Sequence, residues 1–168
     1  MCIRPILGSV LASLFLVACA QMGGGSAAKS DASNQTSPAE KQGVGPGMNA
    51  EGEVIDASKV ESGYGQKVKN GDWEGELTGK PAPNTCFTKL QIGMPLKQVT
   101  DLCGAPTDQG AYITGKAFIP FYFGSDRFRY ELAYKAQGRL IFAGGSMGDL
   151  SGAHLIWVIY SAADSGYR

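Results

Sequence analysis

Residues 127–134, RFRYELAY, alternate apolar and polar side chains: Phe128, Tyr130, Leu132 and Tyr134 fall on one side, Arg127, Arg129 and Glu131 on the other. That is the period of a half-buried β-strand. The KAQG stretch that follows reads as a turn, and RLIFAGG, 139–145, as the return strand of a hairpin. AHLIWVIYSA, 153–162, is apolar on both faces and predicts a central or covered strand. AFIPFYF, 117–123, is a continuous apolar run interrupted by Pro120, which has no N–H to give a ladder, so it predicts an edge or bulged strand. The glycine-rich GGSMGD, 144–149, reads as an inter-strand loop. Upstream, TCFTKLQIG carries Phe87, Leu90 and Ile92 at roughly helical spacing behind Asn84 or Thr85 as a cap, and ends at Gly93. A second helix is predicted from Pro95, suited to a first helical position, with Leu96, Val99, Leu102 and Cys103 as one apolar stripe. Gly104 suits a left-handed C-terminal cap and Pro106 blocks continuation. The expected fold of residues 84–168 is α+β, two short helices packed on a three- to four-stranded antiparallel sheet.

The first half of the chain has a different texture. Residues 20–50 are Gly, Ser, Ala, Gln and Pro with few large apolar groups, too few to offset ordering entropy. Residues 51–83 scatter Val54, Ile55, Val60, Tyr64, Trp73 and Leu77 among Gly and charge. The stretch 19–83 is therefore read as a mostly flexible linker, with a short strand at 72–78 the one segment expected to dock. A coil of that length would span roughly 40–50 Å.

At the start, MCIR carries one positive charge, and the apolar run 6–17, ILGSVLASLFLV, is too short to cross a bilayer but right for a signal-peptide core. It ends in Leu16-Val17-Ala18-Cys19, which resembles the lipobox of bacterial lipoproteins. That resemblance implies cleavage after residue 18 and lipid on Cys19; several acyl chains hold a membrane stably where one does not. Ala20 in place of an aspartate implies an outer-membrane address.

Charge narrows the functions little. The formal net charge is zero, which argues against a nucleic-acid partner. Residues 20–83 hold six lysines against nine acids, and 84–168 hold eight cations against six acids. No catalytic constellation is visible: His154 is the one histidine, Ser146, Ser151 and Ser161 lack a nucleophile motif, and the carboxylates Asp108, Asp126, Glu131, Asp149 and Asp164 are dispersed. The chain is expected to be no enzyme, without metal or cofactor. Arg127 and Arg129, two apart, share a strand face, either solvated beside Glu131 or forming a patch for an anionic partner. With Phe121 and Tyr122 they make the candidate binding face, since an aromatic-rich run needs something to cover it.

Gly93-Met94, Val99, Gly104-x-Pro106, an aromatic-rich strand, Gly138 and Leu140-x-Phe142 together resemble the SmpA/OmlA (BamE-like) family of outer-membrane lipoproteins over about residues 86–143. The resemblance implies two helices on a three-stranded antiparallel sheet and a non-enzymatic envelope protein that binds another envelope protein, supporting outer-membrane assembly or integrity. The same architecture also serves inhibitor- and ligand-binding modules. The chain departs from the family at Pro95, where Ser or Thr is usual, and in its long linker. In an antiparallel helical hairpin the start of the first helix lies beside the end of the second, which places Cys86 near Cys103 and predicts a disulfide in an oxidising compartment. Two free buried thiols, or zinc with His154 as third ligand, are the alternatives.

Overall fold

The computed structural model describes residues 43–122, 124–146 and 149–168. The expected signal segment 1–18, the expected lipid site Cys19 and the expected linker as far as residue 42 lie outside the described residues. The alternating stretch forms β4 (Phe128–Tyr134), which pairs antiparallel with β5 (Gly138–Ser146) through the expected turn. β5 pairs in turn with β6 (Asp149–Tyr160). The glycine-rich loop is thereby shorter than expected: Gly144, Gly145 and Ser146 belong to β5 and Asp149 opens β6.

β6 is central, as its two-sided apolar pattern predicts. Leu155, Val158 and Tyr160 join one core with Tyr130, Leu132, Leu140 and Phe142. Trp157 and Ile159 join Ile141 in a second core on the opposite face. Facing residues change from Ile141↔Trp157 to Phe142↔Leu155, so Ile156 is an extra residue on β6. A bulge of this kind bends its strand and changes which face each side chain meets. The second core is closed by Val54 and Ala57, both buried, from a stretch read as linker.

The expected two helices on a three- to four-stranded antiparallel sheet are corrected to one α-helix on a six-stranded mixed sheet. Three local causes account for the difference. First, residues 86–89 make only a 3-10 turn, Cys86–Lys89, and Leu90 is already extended. The chain is drawn onto β6, where Gly93 N–H donates to Leu155 O (2.8 Å) and Leu155 N–H to Met94 O (2.9 Å). Secondly, 117–122 is no strand, and residue 123 lies outside the described residues. Gly115–Phe118 is a 3-10 turn, and the outer strand is β3 (Asp108–Ile113), paired antiparallel with β4. Thirdly, Gln66–Asn70 and Trp73–Thr78, inside the stretch read as linker, form the hairpin β1–β2. The docking strand expected at 72–78 is β2, and it lies parallel to β6. Gly75 makes this approach possible, because a Cβ there would sit 2.3 Å from Ile156 O. The strand order is β1-β2-β6-β5-β4-β3.

α1 (Leu96–Cys103) begins after Pro95, whose carbonyl accepts from Val99 N–H (3.1 Å), and stops at Gly104, φ +77°. Val99 is fully buried, Leu96 and Cys103 pack on the first core, and Leu102 faces outward. Burying such an aliphatic side chain contributes about 1.5–3 kcal/mol. Cys86 and Cys103 are joined as a disulfide, Cα to Cα 5.3 Å, stapling the 3-10 turn to the end of α1. No helix among the described residues is long and apolar enough to cross a membrane.

Candidate functional site

β3 ends at Ile113 and β4 begins at Phe128, and the loop between them leaves and rejoins the sheet at neighbouring points. Thr114 N–H donates to Arg127 O (3.0 Å), and Thr114 Oγ1–H donates to Asp126 O (2.5 Å). Within the loop, Ile119 N–H donates to Lys116 O and Tyr122 N–H to Ile119 O. Phe121 is left at φ +61°, a conformation that costs a bulky residue on the order of 1–3 kcal/mol. The outcome is an apolar tip held out in water: Phe121 is 90% exposed, Phe118 78% and Ile119 53%. Tyr122 folds back over Gly124, where a Cβ would stand 2.4 Å from its ring.

The base of the loop is pinned through Asp126. Its carboxylate accepts from Lys116 Nζ (2.7 Å), Arg129 Nε (2.7 Å) and Arg129 Nη2 (3.1 Å). Partial burial pushes the Asp126 carboxyl upward, but the hydrogen bonds from Arg129 and Lys116 outweigh it and hold the group below its ordinary value. Burial likewise disfavours the Arg129 cation, and Asp126 more than offsets this, so Arg129 is raised.

The four candidate binding residues thus lie on one loop and the strand leaving it, with unequal parts. Phe121 is the exposed tip, while Tyr122 is only partly exposed. Arg129 is engaged with Asp126, and Arg127 lies at the loop's close with its Nε unpartnered among the described residues. The expected neighbour of the two arginines, Glu131, instead accepts from Arg139 Nη1 on β5 (2.7 Å). Arg139 also donates to Asp164 Oδ2 (3.0 Å) and to Tyr167 O (2.9 Å), so two of the dispersed acids belong to a buried clamp on residues 164–167.

Beside the loop base runs a groove of about 510 Å³. Lys116, Asp126 and Arg129 line one part of it, and Asp72, Glu74 and Glu76 line another, with Trp157 among the apolar residues. Glu76 is committed to structure, its carboxylate accepting from Gly63 N–H (2.8 Å) and Gly65 N–H (2.6 Å). Trp157 Nε1–H donates to Thr78 Oγ1 (2.9 Å). Sequence reasoning missed this groove because the strand expected at 72–78 was given no neighbour on the sheet and residues 66–70 were read as linker. No local spacing announces the pin, since Asp126 lies at a non-helical position of a short turn and Arg129 on a strand.

His154 does not meet the cysteines. Its ring stacks on Trp73 with centroids 4.2 Å apart, its Nδ1 lies 3.0 Å from Gly152 O, and both thiols are spent in the disulfide, so the zinc alternative and the free-thiol alternative both fall. Among the described residues no cluster of His, Cys, Asp or Glu could hold a metal ion. No family model matches the chain, and neither a curated protein nor a solved structure matches it.

Proposed function

We propose that this chain is a non-enzymatic envelope lipoprotein, a divergent relative of the SmpA/OmlA group. In this reading it is anchored to the outer membrane through lipid on Cys19, and its α+β domain binds another envelope protein. The observation that carries the binding role is the 114–127 loop, whose base is fixed by ion pairs while Phe118, Ile119 and Phe121 stand exposed at its tip. Contiguous exposed apolar side chains on a rigid base are what a docking surface requires. A carboxylate holding two cations at the base gives that surface one geometry and lowers the ordering cost of binding.

The test uses the intact chain in cells, with a photo-crosslinking residue at position 118 or 121 and, as control, at Lys89. The reading expects a discrete protein adduct from 118 and 121 but not from 89, the 118 adduct being lost on Phe121→Asp. Adducts to lipid alone, or none, overturn it. Failure of Cys19→Ala to release the chain from membranes overturns the anchor. The charged groove favours a second reading, a ligand-binding module, for which Arg129→Ala rather than Phe121→Asp would abolish binding.

A further inference from the structure

The two edges of the sheet are built differently. β1 carries Lys67 and Lys69 on a five-residue strand, a composition that deters another strand from adding to it. The other edge, β3, has no charge, proline or bulge from Gln109 to Ile113, and its outer backbone groups have no strand partner among the described residues. Its side chains are exposed at Gln109, Ala111, Tyr112 and Ile113. An uncharged, unprotected edge is a template for pairing.

We infer that β3 pairs antiparallel with β3 of a second copy of this chain, about a two-fold axis at Ala111. Three features make the strand complementary to itself. Gln109, Ala111 and Ile113 share the face that carries α1, since they lie opposite Leu132, Tyr130 and Phe128 on β4. Beside Gln109 and Ala111 is an apolar hollow of about 230 Å³, lined also by Leu96, Tyr130, Leu132 and Leu150. A two-fold axis at Ala111 sets Ile113, 46% exposed, opposite Gln109 of the mate, so each isoleucine fills the other copy's hollow. On the reverse face it sets Tyr112 opposite Gly110, over which the Arg168 guanidinium lies, bringing an aromatic ring to a cation. At the strand ends it sets Asp108 of one copy beside Thr114 of the other, where a parallel arrangement would set like beside like. A sheet edge this short buries less than a standard interface, so the dimer dissociates on dilution.

Sedimentation of the full chain in detergent tests the inference. The expected result is a concentration-dependent species of twice the monomer's mass. Ala111→Lys, at an exposed site, sets two ammonium groups against each other and should weaken it about five- to tenfold with unchanged circular dichroism. Register is read separately from Ala111→Cys, which under mild oxidation should give a covalent dimer whose 111–111 link is found by peptide mass mapping. Tyr112→Cys, displaced from the axis, should give none. A monomer at all concentrations, a dimer indifferent to Ala111→Lys, equal crosslinking of both cysteine variants, or capture of a different protein's strand by β3 would each overturn it.

Discussion

Arg139→Met tests the buried charge cluster that holds residues 164–167 on the sheet. In the native fold the Arg139 side chain is 8% exposed, that of Asp164 1% and that of Glu131 15%. Burial alone would lower the Arg139 pKa, yet its hydrogen bonds to the Asp164 and Glu131 carboxylates keep it raised, so the cation and both anions are mutually dependent. Methionine fills a similar volume without a charge. It leaves Asp164 with Gly166 N–H (2.7 Å) and Glu131 without the guanidinium. Removing one partner of a buried pair costs about 3–5 kcal/mol, because the remaining charge is uncompensated. Against a total stability of about 5–15 kcal/mol, the urea midpoint should fall by about a fifth or more. Pairing Arg139→Met with Asp164→Asn and Glu131→Gln should restore most of the loss, since the stranded charges are then gone. Urea unfolding followed by tryptophan fluorescence measures both. A single-variant loss below about 1 kcal/mol, the level of an exposed pair, would refute the argument.

Other consequences can be measured on the same protein. Cys103→Ser opens a cross-link between residues 17 apart and should cost about 3 kcal/mol on the chain-entropy account, with a mobility difference on non-reducing gels. Asp126→Asn should speed hydrogen exchange of amides 115–122 while leaving those of β5 and β6 unchanged. Because the folded Asp126 pKa is depressed, its contribution is present above the ordinary value of 3.8 and is lost as pH falls through the folded value, so wild-type loop exchange, corrected for intrinsic rate, should approach the variant's only below pH 3.8. Asp56 is held at about 2 by hydrogen bonds from Lys59 and Ser58, so its contribution to the turn at 56–59 should be lost only as pH falls through about 2. Gly75→Ala puts a methyl group against Ile156 O and should release the β1–β2 hairpin, read as exposure of Trp73 to quenchers.

What could be read from the sequence was what local periodicity encodes. The β4 alternation, the two-faced β6 and the Pro95–Gly104 limits of α1 all depend on neighbours a few residues away. β1, and the pairing of the strand expected at 72–78, escaped because that pairing is with a strand some 80 residues later, and the lysines and glycines of an edge hairpin look like linker. β3 escaped for a related reason: Gly110 and two small or polar neighbours give a weak strand signal, and the more apolar 117–123 competed with it. There, hydrophobicity pointed to burial, but Pro120 and the left-handed Phe121 turned the aromatics outward. Phe121 and Arg129 drew notice by residue type, while Asp126, which pairs with Arg129 and Lys116, was lost among dispersed acids. The Cys86–Cys103 pairing was legible because it needed only the ends of two adjacent turns to meet.

The position of β6 also dictates an order of events. It is the last of the six strands along the chain, yet it lies between β2 and β5. Until it emerges, the early hairpin and the β3–β5 meander have no shared neighbour, and a lone two-stranded ribbon is marginal in water. A polypeptide threaded through a pore N-terminus first would therefore stay pliable over most of its length, and its halves would be locked together by the arrival of the keystone.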